Sequence, residues 1–209
     1  NDISDAVLFE VPYDTNKNEL LEPTNEILKS IDEELSKFNT KYNWAVSYNK
    51  REEMRLFRHA LPEAINEFVK NHYGKISSDF AVPHNKIYEM FSAYKKVSVD
   101  SKLPYVIFGH LGNDHVHLNF LPENEDQFEK AKKAYIELAK IAIELGGTIS
   151  AEHGVGKKYF IGSKGEIIPY LNLQFGKNGL TIIKKIKSVF DPNLILNFGN
   201  MFIGAVTKY

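Results

Sequence analysis

The strongest constraint on the fold of this chain is a β-hairpin pattern in residues 104–121. Residues 104–110 form a run of strand-forming side chains, and residues 115–121 alternate between polar and apolar side chains, as a strand with one buried face does. Between them, Gly112-Asn113-Asp114 has the composition of a tight turn. The sequence therefore predicts two neighbouring antiparallel strands at the centre of the fold.

Other periodic segments flank this hairpin on both sides. Shorter runs predict strands at 6–11, 44–48 and 75–82. Apolar residues at three- and four-residue steps predict helices at 20–35, 52–70, 85–97, 125–145 and 180–189, with a break or kink at Pro62. This order favours an α+β fold in which helices cover one face of an antiparallel sheet. We expect residues 1–209 to form a single domain.

Composition removes several classes of function. The 209 residues carry a formal net charge of -1, which disfavours a polyanionic partner such as nucleic acid. The absence of cysteine excludes disulfides, thiolate metal sites and cysteine nucleophiles. No apolar run approaches the ~20 residues that span a bilayer. We expect a cytoplasmic protein, at most peripheral to a membrane, and the first residue, Asn1 rather than Met, suggests a fragment or a processed chain.

The predicted hairpin places several polar side chains on one face. If its turn centres on Asn113-Asp114, His110 and His117 lie directly opposite one another, with Cβ atoms ~4.5–5.5 Å apart. Two imidazoles at that separation can ligate one divalent metal. His115 and Asn119 share the face with His117 because side chains alternate along a strand. The competing interpretation is a solvated polar face without a ligand.

A second segment could complete such a site. Glycine residues end the preceding helix at 146–147, and the adjacent pair Glu152-His153 is framed by Gly154 and Gly156, which would allow close approach of the backbone to a ligand. One Glu with two His is a ligand set suited to Zn²⁺, Mn²⁺ or Fe²⁺ with open positions. A surface Glu-His pair before a turn is the ordinary alternative.

Arg58 is a third candidate. It lies in a predicted helix, where an arginine is most often a solvated surface residue. Its guanidinium also suits a bidentate grip on a carboxylate. The pattern around it does not decide between these two interpretations.

Three motifs in order give the chain a resemblance to a known family. Residues 108–119 read FGHLGNDHVHLN, residues 146–156 read GGTISAEHGVG, and residues 190–199 read FDPNLILNFG. They resemble the C-terminal domain of FAD-linked oxidases, the group of D-lactate dehydrogenase, the glycolate oxidase catalytic subunit and D-2-hydroxyglutarate dehydrogenase. Arg58, residues 62–64 and residues 78–83 also fit the family pattern, and the likeness covers about residues 7–202.

The resemblance implies a ferredoxin-like cap over a flavin domain and oxidation of a D-2-hydroxy acid, of lactate or glycolate type, to the 2-oxo acid. FAD, held mainly by that other domain, and a divalent metal (Zn, Mn or Fe) are the implied cofactors, and residues 190–209 would pack toward the flavin domain. The implied roles are these: metal ligands His110, His117 and Glu152; proton acceptor His153; carboxylate-binding Arg58; substrate neighbours Asn119 and His115; and flavin neighbour Asn197.

The chain also departs from the family pattern. Asn113-Asp114-His115 stands where the family has Asp-Gly-Asn, so the face gains a third imidazole. Ala151 replaces a glycine, and Phe198 replaces a proline. No glycine-rich flavin pyrophosphate loop is visible, so we expect a partner domain or subunit to bind FAD. Two rival functions remain open at this point: a metal-dependent hydrolase that uses the His-His-Glu set, and a non-catalytic assembly domain.

Overall fold

The protein is described from a computed structural model that covers residues 5–10, 22–37, 45 and 47–202. It divides into two compact units, residues 1–67 and residues 68–209. The single-domain organisation expected from the sequence stays a prediction. The candidate site lies in the second unit.

The first unit contains α1 (Glu22–Leu35) and most of α2 (Tyr48–Lys70). Both helices are confirmed, and α2 continues through Pro62 without ending there. The strand expected at 6–11 is wrong for its described part, because residues 5–10 adopt no regular structure and no described strand pairs with them. Of the strand expected at 44–48, residues 44 and 46 lie outside the described residues. The prediction is wrong for the described part, because residues 45 and 47 are not in a strand and Tyr48 begins α2.

The second unit is built on a three-stranded antiparallel sheet. Its strands are β1 (Ile76–Ser77), β2 (Tyr105–His110) and β3 (His115–Phe120), in the order β1-β3-β2. The two long strands form the predicted hairpin. β1 is shorter than the expected 75–82 strand, although Ala81 still bridges to His115 and Thr148. The predicted α+β class with an antiparallel sheet is therefore confirmed.

Two helices pack on one face of this sheet. They are α3 (Ile87–Ser101) and α4 (Glu125–Glu144). Asn124 caps the N-terminus of α4, because its side chain accepts a hydrogen bond from the backbone N–H of Gln127 at 2.9 Å. Such a cap satisfies a donor that the first turn leaves free. Leu118 and Phe120 of β3 are each 1% exposed and join both helices in the core. Burial of each such side chain stabilises the fold by roughly 1.5–3 kcal/mol.

The C-terminal part adds a second hairpin and a long helix. β4 (Tyr159–Ile161) pairs with β5 (Ile167–Pro169), and α5 (Leu171–Phe190) follows, with non-helical backbone at Gly176. The sequence predicted only residues 180–189 of this helix and neither of the two short strands. Strands of three residues are too short to show the alternation on which such a prediction depends.

Candidate active site

The candidate site lies on β3, the central strand. Leu118 and Phe120 face the helices, so the alternating residues His115, His117 and Asn119 lie on the opposite face of the strand. His115 and Asn119 are buried, and His117 is half-buried. The hydrophobic core on one side thereby fixes the direction of the polar side chains on the other. The predicted common face of these three residues is confirmed.

The predicted register of the hairpin is wrong by two residues. β2 and β3 pair His110 with His115, and His117 with Phe108. The cause is the turn: a 3₁₀ segment, Leu111–Asn113, followed by Asp114 with φ of 53°, makes a four-residue connection instead of one centred on Asn113-Asp114. A shift of two keeps every side chain on its predicted face, because the period of a strand is two. His110 and His117 are therefore diagonal neighbours.

Gly109 lets the two strands approach closely beside these histidines. A Cβ atom at this position would lie 2.6 Å from the carbonyl oxygen of His115 and 2.8 Å from the Cα of Val116. Any other residue would force the strands apart. The close packing of the hairpin therefore requires a glycine at this position of the Phe-Gly-His motif.

His117 is oriented by a backbone carbonyl. Its Nδ1 lies 2.8 Å from the carbonyl oxygen of Ser78, and a carbonyl can only accept, so Nδ1 carries the hydrogen. In the neutral ring, Nε2 is then left with its lone pair. This arrangement, in which one nitrogen donates to the protein and the other is available, is the usual one for a histidine that ligates a metal.

Ser78 is itself held by the core. Its hydroxyl oxygen accepts from the backbone N–H of Leu118 at 2.9 Å and lies 3.2 Å from the hydroxyl oxygen of Tyr94. The Tyr94 hydroxyl donates to the carbonyl of Val116 at 3.1 Å, so the Ser78 hydroxyl donates to Tyr94. Burial raises the pKa of Tyr94 to about 12, which keeps it protonated as this arrangement requires.

Two overlapping groups of potential ligands meet at His117. One consists of Asp79, His115 and His117, and the other of His117, Glu152 and His153; within each group the ligand atoms lie within 4.8 Å of one another. Among the described residues neither group includes His110. Of the three ligands that the family pattern implies, the structure therefore brings His117 and Glu152 together, and places His110 on the neighbouring strand.

Asp79 is the group member for which the sequence analysis gave no role. The residue is 5% exposed. Its carboxylate lies near four donors: the Ser150 hydroxyl at 3.0 Å, the N–H of His153 at 2.9 Å, the N–H of Glu152 at 3.2 Å and Nε2 of His115 at 3.2 Å. A carboxylate has about four acceptor positions, so Asp79 has little capacity left for a metal. A single acid directly before the apolar run Phe80-Ala81-Val82 was the available sequence signal.

The hydrogen bonds at Asp79 determine its charge. Burial acts to raise the pKa of this carboxyl, but the N–H groups of His153 and Glu152 and the hydroxyl of Ser150 outweigh it, and the pKa lies below its ordinary value. Asp79 is therefore ionised at neutral pH. Because the carboxylate accepts, Nε2 of His115 donates to it.

His115 connects two carboxylates. Its Nε2 meets Asp79, and its Nδ1 lies 3.1 Å from a carboxylate oxygen of Glu152. Its ring centroid is 4.4 Å from that of His117. The imidazole that this chain has in place of the family's asparagine is thus a buried neighbour of both proposed ligands, His117 and Glu152.

Glu152 and His153 present their side chains at the open side of the site. Their side chains are 50% and 67% exposed, and Nε2 of His153 lies 3.7 Å from a Glu152 carboxylate oxygen. The His153 ring centroid is 5.6 Å from that of His117. Gly154, with φ of 69°, turns the chain directly after this pair in a conformation that favours glycine. A small molecule could reach all three side chains from solvent.

Asn119 is the most enclosed polar residue on this face. Its side chain is 1% exposed, and neither amide atom has a hydrogen-bond partner within the described part of the chain. An unpaired buried amide costs about 1–3 kcal/mol. The observation fits a residue that is completed by a water or a ligand.

The remaining two predicted residues belong to other elements of the chain. Arg58 is an exposed residue of α2, in the first unit. Asn197 is exposed, with φ of 46°, in the turn after α5. That turn continues to Met201, whose N–H donates to the carbonyl of Gly156 at 2.9 Å. The segment that follows Asn197 therefore contacts the end of the glycine-framed loop that carries Glu152 and His153.

Comparison with known proteins identifies the family to which this site belongs. The model of the FAD linked oxidases, C-terminal domain, matches residues 6–201. The chain belongs to this family. No helix in the described part of this FAD-linked oxidase domain is long and apolar enough to cross a membrane.

Several curated relatives carry oxidoreductase names. The glycolate oxidase subunit GlcD of Bacillus subtilis is 35% identical over 64% of this chain and 27% of its own length. A D-lactate dehydrogenase of Anaerostipes hadrus is 32% identical over 59% of this chain and 25% of its own. A mitochondrial D-lactate dehydrogenase [cytochrome] of Kluyveromyces lactis is 30% identical over 85% of this chain and 30% of its own length. The FAD-linked oxidase domain thus matches between a quarter and a third of each relative's length.

Proposed function

We propose that this chain is the substrate- and metal-binding C-terminal domain of an FAD-dependent dehydrogenase that oxidises a D-2-hydroxy acid, of lactate or glycolate type, to the 2-oxo acid. Membership of the FAD-linked oxidase family and the names of the relatives support this proposal. The same match favours it over the hydrolase and the assembly domain. The location proposed is cytoplasmic.

The observation that carries the metal part of the proposal is the hydrogen bond from His117 to Ser78. It leaves Nε2 of His117 with its lone pair available, and a ring nitrogen of His117 lies within 4.8 Å of a carboxylate oxygen of Glu152. We propose His117 and Glu152 as ligands, with His110 as the third from the family pattern. When bound, a Zn²⁺, Mn²⁺ or Fe²⁺ ion supplies Lewis acidity and FAD supplies the hydride acceptor.

The other residues have separate roles in substrate binding and proton transfer. An imidazole nitrogen of His153 accepts the proton of the substrate hydroxyl, and histidine is the side chain that most often serves as a general base in enzymes. Arg58 binds the substrate carboxylate and so determines which face of C2 is presented. Asn119 and His115 lie beside the substrate, and the unpaired amide of Asn119 supplies a donor and an acceptor for it.

A flavin-binding domain, on the same chain or on another subunit, is the proposed partner. The exposed apolar side chains of Ile195, Leu196 and Phe198, at 70%, 60% and 40% exposure, form a patch beside Asn197. Such a patch is typical of a surface that another domain covers. We propose that Asn197 lies near the flavin and that residues 190–209 pack toward the flavin domain.

The proposal is tested on the full-length protein that contains this chain. Purified anaerobically with its FAD, it should show bleaching of the flavin absorbance when D-lactate, glycolate or D-2-hydroxyglutarate is added. L-lactate and L-2-hydroxyglutarate should be poor reductants. Elemental analysis should find one divalent transition metal per chain. A flavin that none of these acids reduces, in a protein that retains its metal and hydrolyses ester substrates, would favour the hydrolase instead.

A further inference from the structure

Asp79 stands out among the residues near the site because its buried carboxylate accepts hydrogen bonds from the protein itself. It belongs to the segment after β1, whereas three of its four donors come from residues 150–153, more than 70 positions later. Its backbone carbonyl also accepts, at 2.9 Å, from the N–H of Ala151. Main chain and side chain of one residue therefore fix four consecutive residues of the loop.

The loop that Asp79 holds is the one that presents Glu152 and His153. Their backbone N–H groups point inward to the carboxylate, while their side chains point to the open side, 50% and 67% exposed. The backbone anchor at Asp79 therefore restrains where these two functional groups lie, in addition to the contact between Glu152 and His115.

Asp79 also fixes one of the imidazoles. By accepting from Nε2 of His115, it sets the ring so that Nδ1 faces Glu152 at 3.1 Å. The same carboxylate thus orients a direct neighbour of the proposed ligand Glu152. Partners of metal ligands commonly tune affinity in this way, and their loss typically costs 10–100-fold.

We propose that Asp79 is a positioning residue that arranges Glu152, His153 and His115 into a competent site. This inference rests on the proposed function, since it assumes that Glu152 binds a metal and that His153 accepts a proton. It assigns no ligand role to Asp79 itself, because its acceptor positions are used by the loop and by His115. The charge of the carboxylate and its place under the loop are both required.

The test uses the Asp79→Asn variant of the full-length, FAD-containing protein. Asparagine has the same shape as aspartate, but its side-chain NH₂ group is a donor. It would face N–H and O–H donors at a position where the wild type has an acceptor oxygen. We expect the dissociation constant for Zn²⁺, measured by competition with a chromophoric chelator, to rise roughly 10–100-fold. We expect kcat to fall while KM changes little, since His153 is misplaced and the carboxylate-binding Arg58 is untouched.

Asp191→Asn is the matched control. Asp191 is likewise 5% exposed and its carboxylate likewise accepts from two backbone N–H groups, those of Ile195 and Leu196. Both variants should lower the melting temperature. Only Asp79→Asn should change the affinity for Zn²⁺. Equal losses of Zn²⁺ affinity in both variants would show that general destabilisation, and not positioning, is responsible.

A milder variant keeps the test decisive if Asp79→Asn does not fold. Ser150→Ala removes one donor, 3.0 Å from the Asp79 carboxylate, and should weaken Zn²⁺ binding roughly 2–10-fold, as loss of one hydrogen bond does. The inference alone is overturned if the wild-type protein binds Zn²⁺ and reduces its flavin while the folded variants keep the same Zn²⁺ affinity and the same turnover. A wild type that binds no Zn²⁺ overturns the metal part of the proposed function as well.

Discussion

The side-chain Nδ1 of His117 lies 2.8 Å from the backbone carbonyl oxygen of Ser78, the residue directly after β1. This single contact joins the site to the core, because Ser78 is hydrogen-bonded to Tyr94 and Leu118 on the other side. The direction in which His117 presents its free nitrogen is thus determined by residues that never meet a ligand.

Replacement of His117 by alanine should abolish metal retention in the full-length protein. His117 is the residue shared by both groups of potential ligands, so no described alternative remains without it. Elemental analysis after dialysis measures the result. The control is His72→Ala, since His72 is exposed and its imidazole contacts Phe68 of α2, away from both groups of potential ligands. Equal metal content in His117→Ala and wild type would contradict the proposed ligand set.

His153→Ala should lower kcat by about 10²–10⁴-fold, the usual cost of losing a positioned general base, with a small effect on KM. Arg58→Ala should instead raise KM strongly, because a carboxylate contact stabilises ground state and transition state alike. Steady-state kinetics on the best D-2-hydroxy acid separate the two. Metal content must be measured in both variants. Near-normal turnover in His153→Ala would disprove the proton-transfer role.

Phe120→Ala should destabilise the protein by about 3–5 kcal/mol, the range for deleting a fully buried aromatic side chain. Phe120 is 1% exposed, on the core face of β3. Tyr88→Ala removes an aromatic side chain that is 79% exposed and should change stability by less than about 0.5 kcal/mol. Urea unfolding followed by circular dichroism gives both values, and similar losses would argue against the described core.

Acid should weaken the C-terminal helix contacts through Asp191. The hydrogen bond from Lys187, with those from Ile195 and Leu196, holds the pKa of this carboxyl below its ordinary value. A carboxyl with a lowered folded-state pKa stabilises the fold above its unfolded pKa, about 3.9, and that contribution is lost as pH falls toward the folded value. Melting temperatures between pH 6 and 3 should therefore fall less steeply in Asp191→Asn. A parallel slope would contradict this assignment.

The hairpin shows how far the sequence could determine the site. Alternation in residues 115–120 correctly predicted which side chains share a face, because that follows from strand geometry alone. It did not determine which residues lie opposite one another. That depends on the length of the turn. Asp114 adopts the left-handed conformation, which aspartate tolerates but does not require, and the connection is extended to four residues.

Asp79 shows the other limit. Its partners Ser150, Glu152 and His153 are 71 to 74 residues away, and no local pattern encodes a contact between such distant segments. Periodicity shows which face is buried, but not which loop closes over it. Only the packed fold reveals that the acid before Phe80 holds the loop.

The distances along the chain also have a consequence for folding. The site forms only after the chain has closed two loops, one of 36 residues from Asp79 to His115 and one of 74 residues from Asp79 to His153. Contacts of such large sequence separation form slowly. Helices α3 and α4 can form earlier, from local contacts. A compact intermediate with native helix content and fluctuating tertiary packing should therefore bind Zn²⁺ weakly. The gain of metal affinity during refolding should then follow the formation of the native tertiary structure, and not the formation of the helices.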